Sequence, residues 1–546
     1  MTSMPVPASI RSLRESLRRN FPNLLFVVCA LSIFVWVSFD AVRVRSVTYE
    51  GGSDYWEHSA ALRALLEKPW HPDNPHLVSR APSSRFGPQF VLVALLARTL
   101  HFDALGAMAL AAVLNTLLFL CGIRLFFATY FRHPLAPLYG LLVMFCGWWQ
   151  GFHYSNVYAL HVFPTVASYP STTALGLSLL GFALAVRLLR AQLARPRLAL
   201  GALVIWAAAV FIIHPLTATL ALSGVGLLAV TEPDAALRVR LELLLALIMG
   251  LLVCRFWPYF SAWEVLRGGR GATAGWAGDS LQQLGGALHL KRKLHEFYQP
   301  GALLRALGLS LVALVGLPYF FLRRERWFVG FGALSMLLPF AVNAFVDLPL
   351  GHRFVLLAIV YLQIGVVWLL LRLTPGYPDA FAFSTSRWAK IALPLALSAL
   401  LLVFATHSVL LAHEQVMSPR FYARKESPVV SNMKAIAEAA GPGAVVLANP
   451  LLSWPLPTFG PKVLQIFHFD PLVPDETERE FYVARFLGRA SDEQRQEILA
   501  HYGVTHVLLG RESNPALLRF LAQHATVRAV GTGFHLYTLD SSAKPL

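Results

Sequence analysis

The chain has 546 residues, of which 56% are apolar and only 14% charged, with 46 Lys and Arg against 30 Asp and Glu. That balance excludes a stack of ordinary soluble domains, and its 4 cysteines offer neither a disulfide framework nor a zinc spacing. The formal charge of +16 sits in arginine clusters between apolar runs, with no aromatic-interleaved basic stripe, so it indicates membrane topology and not a nucleic-acid partner.

Apolar runs of about 17–25 residues, each long enough to cross a roughly 30 Å hydrocarbon core, recur from residue 24 to residue 411. Arg11, Arg14, Arg18 and Arg19 precede the first run, at 24–42, which is too long for a signal peptide and lacks a small-residue cleavage site. It is expected to be a retained signal-anchor with its N-terminus inside. Just beyond it comes Gly51-Gly52-Ser53-Asp54-Tyr55-Trp56-Glu57-His58, where two carboxylates and an imidazole fall within five residues. The glycines suit a tight backbone, and residues 59–66 predict a short helix that holds these side chains at the membrane boundary. Local sequence favours an N-cap role for Asp54 and a capping-box role for Glu57, three residues later on the same face.

Residues 87–100 form an apolar stretch too short for an upright span. Counting it as one would place Arg132 and His133 outside and reverse the charge bias of every later loop, so an interfacial or re-entrant helix is expected. A full run follows to about residue 130, and further spans are expected at 134–151, 171–189, 198–213, 216–230, 241–260, 302–322, 327–345, 354–371 and 391–411. The result is about 11 transmembrane helices, with Arg190, Arg238, Arg323 and Arg387 among the residues facing inside. His214-Pro215 marks the outer turn of a tight hairpin. The Asp54 loop, 152–170, 263–301, the turn at 346–353 and everything after 411 then share the outer side.

Two outer loops defy the charge bias, one with Arg43, Arg45, Arg63, Lys68, Arg80 and Arg85, the other with Arg267, Arg270, Lys291, Arg292 and Lys293. An anionic ligand and the tolerance of long loops for charge explain this equally well. Past residue 411 the composition becomes soluble, with helical patterns at 430–440, 492–502 and 517–524 and strand patterns at 444–447, 463–469, 506–509 and 535–539. This α/β unit has no Gly-rich phosphate loop and no G-x-S-x-G, so no chemistry of its own is expected. The fold class is therefore a polytopic α-helical membrane protein, residues 1–411, followed by a C-terminal periplasmic α/β domain, residues 412–546.

Outer loops gathered at the membrane boundary suit a lipid-linked substrate whose tail stays in the bilayer while Arg or Lys holds its phosphate. A carboxylate, Asp54 or Glu57, would deprotonate an acceptor hydroxyl, and glycosyl transfer from a polyprenyl-phosphate sugar fits, since charge builds on the departing phosphate.

The order of elements resembles the GT-C superfamily of polyprenyl-phosphate-sugar-dependent glycosyltransferases, which includes protein O-mannosyltransferases, aminoarabinose transferases and oligosaccharyltransferase catalytic subunits. The resemblance covers most of the chain: a first span, a large outer loop with an early acid, the short helix at Arg85-Phe86-Gly87-Pro88-Gln89, later spans and an outer α/β domain. It implies that Asp54 is the catalytic acid of the first loop and that Arg353, in Pro349-Leu350-Gly351-His352-Arg353-Phe354, meets the donor phosphate. His214-Pro215-Leu216-Thr217 and Arg255-Phe256-Trp257-Pro258-Tyr259 are also similar to superfamily segments.

Further substrate-binding candidates are Glu57, His58, Arg85, His352 and His153. Arg85 meets phosphate or sits at headgroup level, His352 is favoured as a neighbour of Arg353, and His153 and His161 are favoured as boundary histidines. The 152–170 loop departs from the oligosaccharyltransferase pattern: it has no Asp or Glu, so a divalent metal between paired carboxylates is unsupported and a transferase without cofactor is expected. Expected partners are a polyprenyl-phosphate sugar donor, a lipid, glycan or protein acceptor, and membrane lipids. The Arg-, Ala- and Leu-rich composition points to a GC-rich bacterium, hence the inner membrane with a periplasmic C-terminal domain. A transporter or flippase of lipid-linked saccharides should show paired ionisable residues at mid-membrane and two similar halves, and neither is clear here. A scaffold protein would need neither Asp54 nor Arg353.

Overall fold

The computed structural model describes residues 8–43, 54–149, 154–266, 297–346, 348, 350–373, 389–417, 427–468, 470–510 and 514–540. His153, Gly51, Gly52, Ser53, Arg45, Pro349, Arg387 and the five basic residues expected between 267 and 293 lie outside the described residues. The chain divides into two compact units: one holds residues 1–40, 112–253 and 291–417, the other 41–111, 254–290 and 418–546. A cut at 411 therefore separates the domains differently from the fold, because the first outer loop belongs with the C-terminal residues.

The first unit is helical. Among the described residues, seven helices are long and apolar enough to cross a membrane, Ala104–Phe131, Pro170–Leu189 and Pro196–Ile213 being three of them, and they make the chain a multi-pass membrane protein. At the other expected spans Ala136–Cys146 has 11 residues and Pro215–Thr231 and Leu237–Val253 have 17 each, and the 302–322 run is broken into Pro300–Leu307, Ser310–Val315 and Leu317–Phe321. The first break has a local cause. Gly308 turns at φ +51°, and a Cβ there would stand 2.3 Å from the carbonyl oxygen of Gly147, so the chain bends where two backbones touch. The window around Gly351–Arg372 is 94% buried and apolar on every face, the mark of a helix surrounded by others. The window in Asn20–Val42 is 11% buried, as a lipid-facing anchor should be. At the expected hairpin, Pro196–Ile213 stops at His214, whose Nδ1 accepts from the Thr217 backbone N–H at 3.1 Å and so caps Pro215–Thr231.

The second unit is built on a mixed sheet: β1 (Val445–Leu447), β2 (Lys462–Val463), β3 (His506–Leu509), β4 (Ala525–Val530) and β5 (Phe534–Leu539), ordered β2-β1-β3-β5-β4. β1 pairs parallel with β2 and β3, whereas β5 runs antiparallel to β3 and β4. Its core joins Val445, Leu447 and Val507 to Phe486, Leu499 and Phe520 from the flanking helices. The helix Asp492–Tyr502 begins as its sequence predicts, with Ser491 and Gln494 capping each other's backbone N–H. Strand β4 and the helix Glu476–Leu487 were not legible in the pattern, and the expected 463–469 strand ends at Val463. The open edge beyond β2 is covered by the first outer loop. The Val463 N–H donates to the His76 carbonyl at 2.9 Å, the Val463 carbonyl accepts from the Val78 N–H at 3.2 Å, and Leu77 forms a parallel bridge to this residue.

Candidate active site

This edge pairing anchors the helix Tyr55–Glu67, almost every residue of which is buried. Its Ser59 hydroxyl lies 2.6 Å from that of Thr458, and Trp56 packs beside Phe459, so the helix is clamped onto the C-terminal residues. Its first turn faces the chain that leaves β2 and runs through His468 to Asp470.

Asp54 stands at the N-cap but with helical φ −55° and ψ −13°, and its side chain makes no capping bond. The capping expected for it is therefore corrected by the fold: a residue already helical cannot aim its carboxylate back at its own N–H groups. The same correction applies to Glu57, whose carboxylate is drawn across the unit by stronger donors. Glu57 is 1% exposed, pairs with Arg85, and receives Trp454 Nε1–H at 3.0 Å and His468 Nδ1 at 2.7 Å. His468 Nδ1 is also 3.3 Å from Asp54 Oδ1. Because carboxylates only accept, that nitrogen carries the proton, held between two acids. Arg85, which the sequence left between phosphate and headgroup, is thus taken up by a buried carboxylate.

A second acidic layer lies behind Arg85. Asp470 accepts from the Ser83 hydroxyl at 2.5 Å and the Ser84 N–H at 3.2 Å, and its own N–H donates to Glu476 at 2.7 Å. Burial works against every charge here, yet it does not win everywhere. It tends to raise Glu57, but Arg85 and His468 outweigh it and hold that carboxyl well below the usual range. It tends to lower His468, but Glu57 and Asp54 outweigh it and raise that imidazole. Burial prevails at Asp470, which is raised, and burial together with Asp470 raises Glu476 well above the carboxylate range. His58 is depressed to about 4 by burial; it is 8% exposed and its ring packs edge-on to Phe90, 5.3 Å away. His76, depressed by burial to about 3, lies 3.2 Å through Nε2 from the Glu57 carbonyl.

The fold thus gathers Asp54, Glu57, His58 and Arg85 in one unit and adds His468, Trp454, Asp470 and Glu476. The C-terminal residues, for which the sequence suggests no chemistry of their own, supply the imidazole that lies between the two acids. The one signal in the sequence was His468-Phe469-Asp470 at the end of an apolar run, with Glu476 close behind. Arg353 and His352 belong to the other unit. They form a single 3-10 turn, Gly351–Arg353, entered through Leu350 at φ +54° and tied by Asn343 Oδ1, which accepts from Leu348 N–H at 2.9 Å. The Arg353 guanidinium lies 5.1 Å from the centre of the Tyr154 ring, and its buried Nε has no hydrogen-bond partner among the described residues. His352 packs against Phe297 at 4.6 Å.

Asp54, Glu57 and His468 each offer one atom within 4.8 Å of the others, a spacing that a metal ion could bridge. The donor set fits poorly: Nδ1 already holds a proton, and Glu57 is already balanced by Arg85.

No protein-family model and no curated protein matches the sequence. Among solved structures the chain is similar to ArnT from Cupriavidus metallidurans. The undecaprenyl phosphate-bound form gives a TM-score of 0.53 at 13% identity over 96% of this chain and 99% of that one, and the apo form gives 0.52. It is also similar to a mutant of the arabinofuranosyltransferase AftD from Mycobacteria, with a TM-score of 0.51 at 15% identity over 96% of this chain and 42% of that one. The chain therefore has the fold of these membrane glycosyltransferases, as the order of its elements implied.

Proposed function

We propose that the protein is an inverting glycosyltransferase that moves a sugar from a polyprenyl-phosphate donor to an acceptor hydroxyl at the periplasmic face of a bacterial inner membrane. The observation that carries this reading is the division of labour between the two acids. Glu57 is buried and fully committed to Arg85, His468 and Trp454, whereas the Asp54 carboxylate, 35% exposed, keeps an open side. Two carboxylates in different surroundings take different roles.

Asp54 takes the proton of the acceptor hydroxyl, whose oxygen then attacks the anomeric carbon of the donor sugar. The bond from that carbon to the phosphate oxygen breaks, its electron pair leaves with the polyprenyl phosphate, and the anomeric configuration inverts. His468, itself held by Glu57, places its Nδ1 beside the Asp54 carboxylate and so orients it. Arg353 is assigned to the donor phosphate, where a guanidinium meets the negative charge that accumulates on departure. The fold shared with ArnT, a protein solved with undecaprenyl phosphate bound, supports a lipid-phosphate donor.

The test is transfer of radiolabelled sugar from a lipid carrier in proteoliposomes. Asp54→Asn should lower kcat by about 10²–10⁴, while Arg353→Ala should raise the donor KM and Arg353→Lys recover it only in part. Wild-type protein that moves lipid-linked sugar across the bilayer without transferring it would replace this reading with a transporter.

A further inference from the structure

Beside the acidic cluster, the second unit contains a cavity of about 690 Å³. That lies within the roughly 300–1,000 Å³ of small-ligand clefts. Its walls come from the loop between the Tyr55–Glu67 helix and Phe86, from Pro258-Tyr259 and from Lys462. We infer that this cavity is a saccharide-binding subsite for a glycan-bearing acceptor; the inference rests on the transferase reading for the ligand's role.

Three features point to a sugar. First, the cavity presents aromatic rings of unlike burial. Tyr259 is fixed by its hydroxyl, which donates to the Pro69 carbonyl at 2.7 Å, and by rings at Trp257 and Phe86, whereas Trp70 is 67% exposed. A pyranose offers C–H faces with slight positive charge, and the electron-rich face of an indole matches them. Second, polar groups flank these rings. Arg80, His71 and Asp73 line the same cavity, and between them they supply donors and an acceptor suited to sugar hydroxyls. Third, the walls are set, not loose. Asn74 accepts from the His76 and Leu77 N–H groups at 3.2 and 2.9 Å, and Lys462 donates to the Asn74 carbonyl, pinning the loop to β2. A preset wall lowers the ordering cost of binding a flexible chain.

The cavity wall also adjoins the acidic cluster along the chain. His76, two residues from Asn74, lies 3.2 Å from the Glu57 carbonyl, and Phe86 on the cavity wall directly follows Arg85. Trp70 shares the cavity with Asp73, ion-paired with Lys68 at 2.6 Å, and with Arg80, and a test in a bilayer separates a saccharide role from membrane anchoring.

The experiment uses the full chain in detergent, titrated with hexasaccharides of glucose, mannose and N-acetylglucosamine by isothermal titration calorimetry, which reads wild type and Trp70→Ala alike. At least one hexasaccharide should bind saturably, with affinity reduced by about tenfold in Trp70→Ala and Arg80→Ala, and Asp54→Asn should bind as the wild type does. Binding to none of the three, unchanged affinity in Trp70→Ala, or quenching of Trp70 by brominated phospholipid in a reconstituted bilayer would overturn the inference. Saccharide binding in a protein that transfers no sugar would instead sink the transferase reading and leave the cavity a lectin site. Transfer without saccharide binding would sink the cavity assignment alone.

Discussion

Glu57→Gln tests the central physical claim about the second unit, that its first outer loop and its C-terminal residues are held together by a buried, compensated ion network. The amide keeps the shape of the side chain and one oxygen for Trp454 or His468, but it removes the charge that faces Arg85. Breaking one side of a buried pair costs about 3–5 kcal/mol. The low end applies here, since Arg85 is 24% exposed and retains Asp470 as a second anionic neighbour. A loss of about 3 kcal/mol corresponds to opening that is more frequent by about 10²-fold. Native-state hydrogen exchange reads this directly on peptides from Tyr55–Glu67 and from the segment before His468. Arg85→Met should cost more, because it leaves the charge of fully buried Glu57 without its guanidinium, and the double variant should cost less than the two singles together. An increase in exchange below about fivefold, the roughly 1 kcal/mol of an exposed pair, would refute the reasoning.

Two further perturbations follow from the geometry. His468 is raised in the folded state, so its contribution is complete below the unfolded value of about 6.5 and is lost as pH rises through the folded one. The unfolding temperature of wild type relative to His468→Gln should therefore fall as pH is raised from slightly acid to alkaline; a difference independent of pH would count against the ion pairing. In the first unit, Gly308→Ala must place a Cβ at φ +51° against the Gly147 carbonyl, a strained backbone worth about 1–3 kcal/mol before the clash is counted. Lower thermal stability in detergent and faster exchange in Pro300–Leu307 are expected, and wild-type stability in both would contradict the account of this break.

Much of this architecture is visible in the sequence because a bilayer imposes long apolar runs and positive loops, signals strong enough to read residue by residue. The short 87–100 piece was separated from true spans by length and charge alone, and it is the 12-residue helix Pro88–Thr99. Breaks inside apolar runs were hidden. Nothing in 302–322 announces that Gly308 meets Gly147, since that clash depends on a partner more than 150 residues away. The site was half legible for the same reason. Asp54 and Glu57 lie close in sequence, and their spacing suggested helix capping; their actual partners, Arg85, Trp454 and His468, come from other segments. His468 ends an apolar stretch that reads as strand, and the pairing of residues 76–78 with Val463, together with the Ser59–Thr458 contact, brings it to Glu57.

Whether Asp54, Glu57 and His468 hold a proton or a metal would decide the chemistry open to the proposed site, and the charges favour the proton. Arg85 and a protonated His468 already balance the two carboxylates, so a divalent ion entering the cluster would add positive charge next to a guanidinium. It would also have to expel the Nδ1 proton, because only a neutral imidazole ligates. Affinity for Mn²⁺ should consequently rise about tenfold per pH unit below the His468 pKa, one proton being released per ion bound. At neutral pH a chelator should leave sugar transfer unchanged, and His468→Gln should weaken Mn²⁺ binding measured by calorimetry at alkaline pH. Transfer that stops on chelation and returns with Mg²⁺ or Mn²⁺ would show that the cluster works as a metal centre and that the proton between its acids is displaced in the working enzyme.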